Sequence, residues 1–249
     1  MAGAFWGAVG IICLAVTAGA FEDNIINGNE TKPHSRPYMA QLHITREKDT
    51  VICGGFLIHP SFILTAAHCK GKRIVAYLGV HDIKKMENTW QIIPVQRKIS
   101  GCYNPNTFAN DIMLLMLERR AIITNAVQPI RIPQRGVEVN PNAQCFVTGW
   151  GTTVTNGSLS NVLREVEVTV QRSCYSPSKI CARGSGIKGA CNGDSGGPLV
   201  CLVNYGIPEA VGIVSYGPRK CESPGNNVYT KVSAYRDWID WNIRTCSTA

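Results

Sequence analysis

Gly193-Asp194-Ser195-Gly196-Gly197-Pro198 places a serine hydroxyl on a tight, glycine-flanked turn. Small neighbours let a substrate carbonyl approach the backbone, where the N–H groups of Gly193 and Ser195 can point at a developing oxyanion. Alone, such a run reads equally well as an ordinary turn. Two other segments shift the balance. Leu64-Thr65-Ala66-Ala67-His68-Cys69 puts a histidine after an apolar, strand-like run, and Asn110-Asp111-Ile112-Met113-Leu114-Leu115 puts an aspartate at the head of another. A serine hydroxyl is a poor nucleophile at neutral pH and needs an adjacent base. An imidazole, ordinarily titrating near about 6.5, is neutral enough to accept that proton. An aspartate on the other ring nitrogen fixes the tautomer and stabilises the imidazolium. The competing readings are local: His68 as a structural histidine beside a disulfide cysteine, Asp111 as a strand cap, the glycines as a turn. All three would have to hold together. His34, His43, His59 and His81 read as surface or packing residues.

The order His68, Asp111, Ser195 with these motifs resembles the chymotrypsin/trypsin family of serine endopeptidases, from about residue 25 to about residue 243. Lys32-Pro33-His34-Ser35-Arg36-Pro37-Tyr38-Met39-Ala40 and Asp111-Ile112-Met113-Leu114-Leu115 are similar to its granzyme, mast-cell chymase and neutrophil elastase branch. The resemblance implies an all-β fold of two packed six-stranded antiparallel β-barrels with a C-terminal α-helix. The first barrel would span about 25–130, the second about 131–232 and the helix about 233–246, all within one peptidase domain, 25–249. His68 and Asp111 would come from the first barrel and Ser195 from the second, with the cleft between them.

Local patterns agree with short strands and one terminal helix. Glu165-Val166-Glu167-Val168-Thr169-Val170 alternates with period two, and Ala210-Val211-Gly212-Ile213-Val214 reads as a buried strand. Tyr235, Trp238, Ile239, Ile243 and Cys246 share one helical face, with Ser233 as the expected cap. Apolar residues at 45% and charged residues at 17% mark a globular chain rather than a disordered one.

Residues 4–20 carry no charged side chain and end in Ala18-Gly19-Ala20, the small-x-small pattern of a secretory cleavage site. Residues 1–20 are therefore expected to be a signal peptide. The run is short for a membrane span and lacks flanking basic residues, which argues against a stable anchor. Phe21-Glu22-Asp23-Asn24 then stands as an activation propeptide before Ile25-Ile26. In the family, a free amine at the position of Ile25 inserts and pairs with the aspartate before the serine, here Asp194. A buried carboxylate needs such a partner. Asn24, rather than Lys or Arg, precedes Ile25, and the short acidic leader resembles granzyme propeptides trimmed by an aminodipeptidase.

Ten cysteines remain after Cys13, as suits an oxidising compartment. The resemblance pairs Cys53 with Cys69, Cys145 with Cys201, Cys174 with Cys181 and Cys191 with Cys221. Cys102 and Cys246 have no standard partner, and a fifth bridge, two thiols or an intermolecular bond all stay open. No Cys/His spacing suits zinc, Val80 stands where calcium-binding members carry Glu, and neither metal nor cofactor is expected. Asn29-Glu30-Thr31 and Asn156-Gly157-Ser158 are candidate glycosylation sequons.

The formal net charge is +8, and residues 1–24 hold two acidic and no basic side chains. The mature surface is thus more basic still and should bind polyanions, in this branch the sulfated proteoglycan of a storage granule of immune-type cells. No nucleic-acid motif accompanies the charge. Protein or peptide substrates and protein inhibitors of serine proteases complete the expected partners.

The resemblance also assigns a substrate pocket of Gly189, Ala190, Asn192, Ser215, Tyr216, Gly217 and Asn227. Gly189 lies where trypsin carries Asp, so a bound Lys or Arg would leave an unpaired charge at a cost of several kcal/mol. Burying Leu, Met or Phe contributes about 1.5–3 kcal/mol. Asn227 replaces a frequent Gly and narrows the wall. Cleavage after Met, Leu or Phe is expected. An opposing reading has Asn227, with Arg219 or Lys220 at the rim, accepting a polar or acidic side chain. A cationic, triad-deficient pseudoprotease of the azurocidin kind is the rival class, and the intact His68, Asp111 and Ser195 argue against it.

Overall fold

The structure, a computed structural model, describes residues 28–203 and 206–247. The expected signal peptide, the propeptide 21–24 and Ile25 lie outside the described residues.

A two-residue strand β1 (Asn29–Glu30) precedes two closed barrels. The first is built from β2 (Met39–Thr45), β3 (Thr50–His59), β4 (Phe62–Thr65), β5 (Arg73–Leu78), β6 (Gln91–Ser100) and β7 (Met113–Leu117), closing in the order β2-β3-β4-β7-β6-β5. The second contains β8 (Gln144–Gly149), β9 (Arg164–Val170), β10 (Lys179–Arg183), β11 (Pro198–Val203), β12 (Ile207–Tyr216) and β13 (Asn227–Lys231). It closes through the β8–β9 pairing, and β1 adds to it at β9, so Asn29–Glu30 lies on the second barrel although it precedes the strands of the first.

Period-two patterning decides which residues face inward. In β9, Val166, Val168 and Val170 are buried while Glu167 is exposed. Residues 210–214 of β12 are all buried, as a strand covered on both faces requires. Register then places the functional ends. In the β4–β7 pair Thr65 lies opposite Met113. His68, three residues beyond Thr65, and Asp111, two residues before Met113, therefore leave the same rim of the first barrel.

The helix α1 spans Arg236–Ser247, starting three residues later than the periodicity suggests. Val232–Tyr235 forms a 3-10 turn instead, and Ser233 does not cap it. The Ser233 hydroxyl donates to the Val137 carbonyl at 2.8 Å. Ile239 and Cys246 are buried in the core that fills the first barrel, with Tyr235, Trp238 and Ile243 packed against it. Helix and second-barrel residues thus share a core with the first barrel, which makes the two barrels one packed unit.

Four disulfides join Cys53–Cys69, Cys145–Cys201, Cys174–Cys181 and Cys191–Cys221. Cys102, exposed, and Cys246, buried, are free thiols. Asn29 and Asn156 are both exposed, the latter in a turn at φ +60°. No helix among the described residues is long and apolar enough to cross a membrane.

Candidate active site

His68 sits in a 3-10 turn, Ala67–Cys69, immediately after β4, and the Cys53–Cys69 disulfide ties that turn back to β3. The Arg46 guanidinium donates to the His68 carbonyl at 3.2 Å. Asp111 holds the histidine twice: its Oδ1 accepts from the His68 N–H at 3.0 Å and its Oδ2 lies 2.9 Å from Nδ1. With the proton on Nδ1, the lone pair of a neutral ring is on Nε2. The Ser215 hydroxyl donates to Asp111 Oδ2 at 2.6 Å, and Asp111 is wholly buried. Burial pushes its carboxyl up, but the hydrogen bonds and charge of His68, with the Ser215 hydroxyl, outweigh that and hold it below the usual range. The aspartate is therefore an anion beside the ring, a partner for an imidazolium.

Ser195 comes from the loop before β11. Its carbonyl accepts from the Gly54 N–H at 2.8 Å, and the Gly54 carbonyl accepts from the Thr65 hydroxyl at 2.8 Å, which fixes the loop against the first barrel. Glycine is required at 196: at φ +81°, a Cβ there would come within 2.1 Å of Thr65 Oγ1. Gly193 also has a positive φ, +95°. Among the described residues the N–H groups of Gly193 and Ser195 donate to no internal acceptor, whereas the flanking Asp194 and Gly196 N–H groups reach Cys191 and Val214 carbonyls. Two adjacent donors are left for an oxyanion. Ser195 Oγ makes no hydrogen bond among the described residues; the link between the two loops is the Ser195 carbonyl, 3.6 Å from the Sγ of Cys69, the neighbour of His68.

Asp194 points the other way, into the protein. Its Oδ1 accepts from the Gly151 N–H at 2.8 Å and its Oδ2 from the Cys191 N–H at 3.0 Å, with no cation paired to it among the described residues. Burial raises its carboxyl to about 6 despite those two donors.

Of the assigned pocket residues, Ala190, Asn192, Ser215, Tyr216, Gly217 and Asn227 line one cleft of about 250 Å³ with Ser195, and Gly189 lies behind Asn227 rather than on the cleft's lining. Asn227 is buried, its Oδ1 accepting from the Ala190 N–H at 3.2 Å and its Nδ2 donating to the Ala190 carbonyl at 3.3 Å. A Cβ on Gly189 would lie 2.3 Å from Oδ1, and one on Gly217 2.3 Å from Nδ2. The amide is thus a bar between the 189–190 wall and the 217 wall. Arg219 lines the cleft as well.

Sequence reasoning missed Lys179. It is buried at the start of β10, with Nζ 5.7 Å from the Tyr216 ring centre, and Tyr216 in turn lies 4.7 Å from Phe108. Nothing local marks it, because a lysine opening a strand ordinarily faces water. Cys53, His68 and Cys69 cluster as metal ligands do, but both sulfurs are spent in their disulfide.

Residues 25–239 match the Trypsin family. The chain is 46% identical to mouse granzyme B(G,H) over 247 residues, 94% of this chain and 97% of the relative. A solved granzyme C structure superimposes with a TM-score of 0.81 at 43% identity, covering 88% of this chain and 100% of that one. Human heparin binding protein does so with a TM-score of 0.78 at 33% identity, covering 87% and 95%.

Proposed function

This chain belongs to the trypsin family as a granzyme-like serine protease, and we propose that it is a granule-type endopeptidase working through Ser195, His68 and Asp111. The observation that carries the proposal is the pairing of an anchored His68–Asp111 couple with a serine loop whose Gly193 and Ser195 N–H groups are unspent. Ser195 attacks the scissile carbonyl, and His68 Nε2 takes its proton. Asp111 stabilises the imidazolium, and the two N–H groups hold the tetrahedral oxyanion. The Ser195 acyl-enzyme forms as His68 gives its proton to the leaving amine; water then releases the acid by the same steps.

The chain is made as a secreted zymogen with signal peptide 1–20 and leader 21–24. Removal of the leader by an aminodipeptidase frees the Ile25 amine to pair with Asp194. That pairing answers the need of a buried carboxyl already pushed to about 6. Asn29 and Asn156 are glycosylated. The net charge of +8 and the likeness to human heparin binding protein support storage on sulfated polyanion in the granules of immune-type cells. Protein inhibitors of serine proteases are the expected regulators, and no nucleic acid is a specific partner.

Specificity follows from the Asn227 bar. The pocket offers no carboxylate at Gly189 for Lys or Arg, and the amide shortens it, so Met and Leu fit best and Phe less well. Cleavage of a peptide library randomised before the scissile bond tests this reading, with Met, Leu and Phe expected to dominate. Dominance of Lys or Arg contradicts it; dominance of Asp or Glu means that Arg219 outweighs the apolar walls.

A further inference from the structure

Lys179 Nζ donates to the Phe108 carbonyl at 2.8 Å, to Thr230 Oγ1 at 3.2 Å and to Ser215 Oγ at 3.3 Å. Neither hydroxyl has a proton to give back. Ser215 donates its own to Asp111 Oδ2 at 2.6 Å, and Thr230 donates its own to the Asp111 carbonyl at 2.9 Å. Each hydroxyl can only accept from the lysine. Three acceptors around one nitrogen match the three donors of an ammonium, whereas a neutral amine would turn a lone pair on an oxygen. A buried cation is thus wired to the carboxylate of the His68–Asp111 couple through the Ser215 hydroxyl, and to the Asp111 main-chain carbonyl through the Thr230 hydroxyl.

Resting on the serine-protease reading above, we propose that Lys179 is a positioning residue that aims the Ser215 proton at the Asp111 carboxylate and the Thr230 proton at the Asp111 carbonyl, its ammonium opposing a second positive charge on the couple. Two effects follow from one ammonium. By polarising both hydroxyls it strengthens their bonds to Asp111. By placing a positive charge behind the aspartate it opposes a second positive charge on the ring in the resting enzyme. Burial pulls the lysine ammonium below its ordinary value, and the Asp111 charge offsets part of that. The other titratable groups facing Asp111 are His68, from the turn after β4, Tyr103, from the loop after β6, and Tyr235, from the turn before α1. Both phenols are pushed up, first by burial, and stay neutral while a histidine titrates. Lys179 is then the cation on this couple's buried side, from a strand of the other barrel.

The test is the rate of fluorophosphonate labelling of Ser195 against pH in leader-free protein, for wild type and Lys179→Met. The midpoint of the acid limb should move up by roughly half a pH unit when the charge is removed, the scale of a screened charge within about 9 Å. Lys179→Gln, which keeps a polar end without charge, should give the same shift and stands in if the methionine variant does not fold. Slower labelling at every pH with an unmoved midpoint overturns the charge role and leaves only packing. Wild type that labels normally while all midpoints coincide refutes Lys179 alone; wild type that never labels removes the serine-protease reading beneath it.

Discussion

The two halves of the cleft are finished to different degrees. The half from the first barrel is closed: Asp111 accepts from the His68 backbone, the His68 ring and the Ser215 hydroxyl, and the turn is tied by Cys53–Cys69. The half from the second barrel is open, with two backbone donors unspent and the buried Asp194 carboxyl met only by the Gly151 and Cys191 N–H groups. Both Asp111 carboxylate oxygens and His68 Nδ1 have partners within the described fold, whereas His68 Nε2 has none among the described residues. On the proposed mechanism the second half takes two partners from elsewhere, a substrate oxyanion and a cation for Asp194. Assembly of the base is therefore a property of folding, whereas readiness of the nucleophile's loop is open to control by processing.

Removing the nucleophile probes the open half most severely. Ser195→Ala should lower turnover of a good peptide substrate by about six orders of magnitude, read by single-turnover kinetics. Near-normal turnover would show that the loop is not the reacting part. On the closed half, Asp111→Asn should lower kcat by about four orders of magnitude with the fold intact, because the amide holds the wrong tautomer. A drop of only a few-fold would mean that the ring is oriented by other contacts.

The Asp194 carboxyl separates the halves by pH. Its folded value is about 6, above the ordinary aspartate value of about 3.9, so the folded state binds this proton more tightly. The stability it contributes is full below about pH 4 and lost as pH rises through 6, a span worth about 3 kcal/mol. Leader-bearing protein should thus melt higher at pH 5 than at pH 7.5 relative to leader-free protein, where the Ile25 amine pairs with the ionised carboxylate. Scanning calorimetry of both forms reads this difference directly, and parallel Tm profiles would contradict it. The smallest change concerns the pocket: Asn227→Gly removes the bar and should raise kcat/KM for Phe over Leu by about tenfold.

The histidine, aspartate and serine motifs were legible because each is local turn chemistry at the end of an apolar run. Both barrels and the four bridges followed from the resemblance those motifs carry. The helix start was misplaced since Ser233 spends its hydroxyl on Val137, a contact 96 residues away that no local pattern encodes. Lys179 was illegible for the same reason. Only barrel closure carries its ammonium to Phe108, Ser215 and Thr230. Asn227 was readable as a narrowing of the wall, but its two bonds to Ala190, which turn it into a bar, belong to the tertiary fold.

Stoichiometric labelling with a fluorophosphonate, followed by peptide mapping, tests the central claim in one measurement on protein with and without residues 21–24. The account predicts one label per chain on Ser195 when Ile25 is the first residue, and almost none when the leader remains. Labelling that is absent from the correctly trimmed chain, or that falls on another residue, would contradict it.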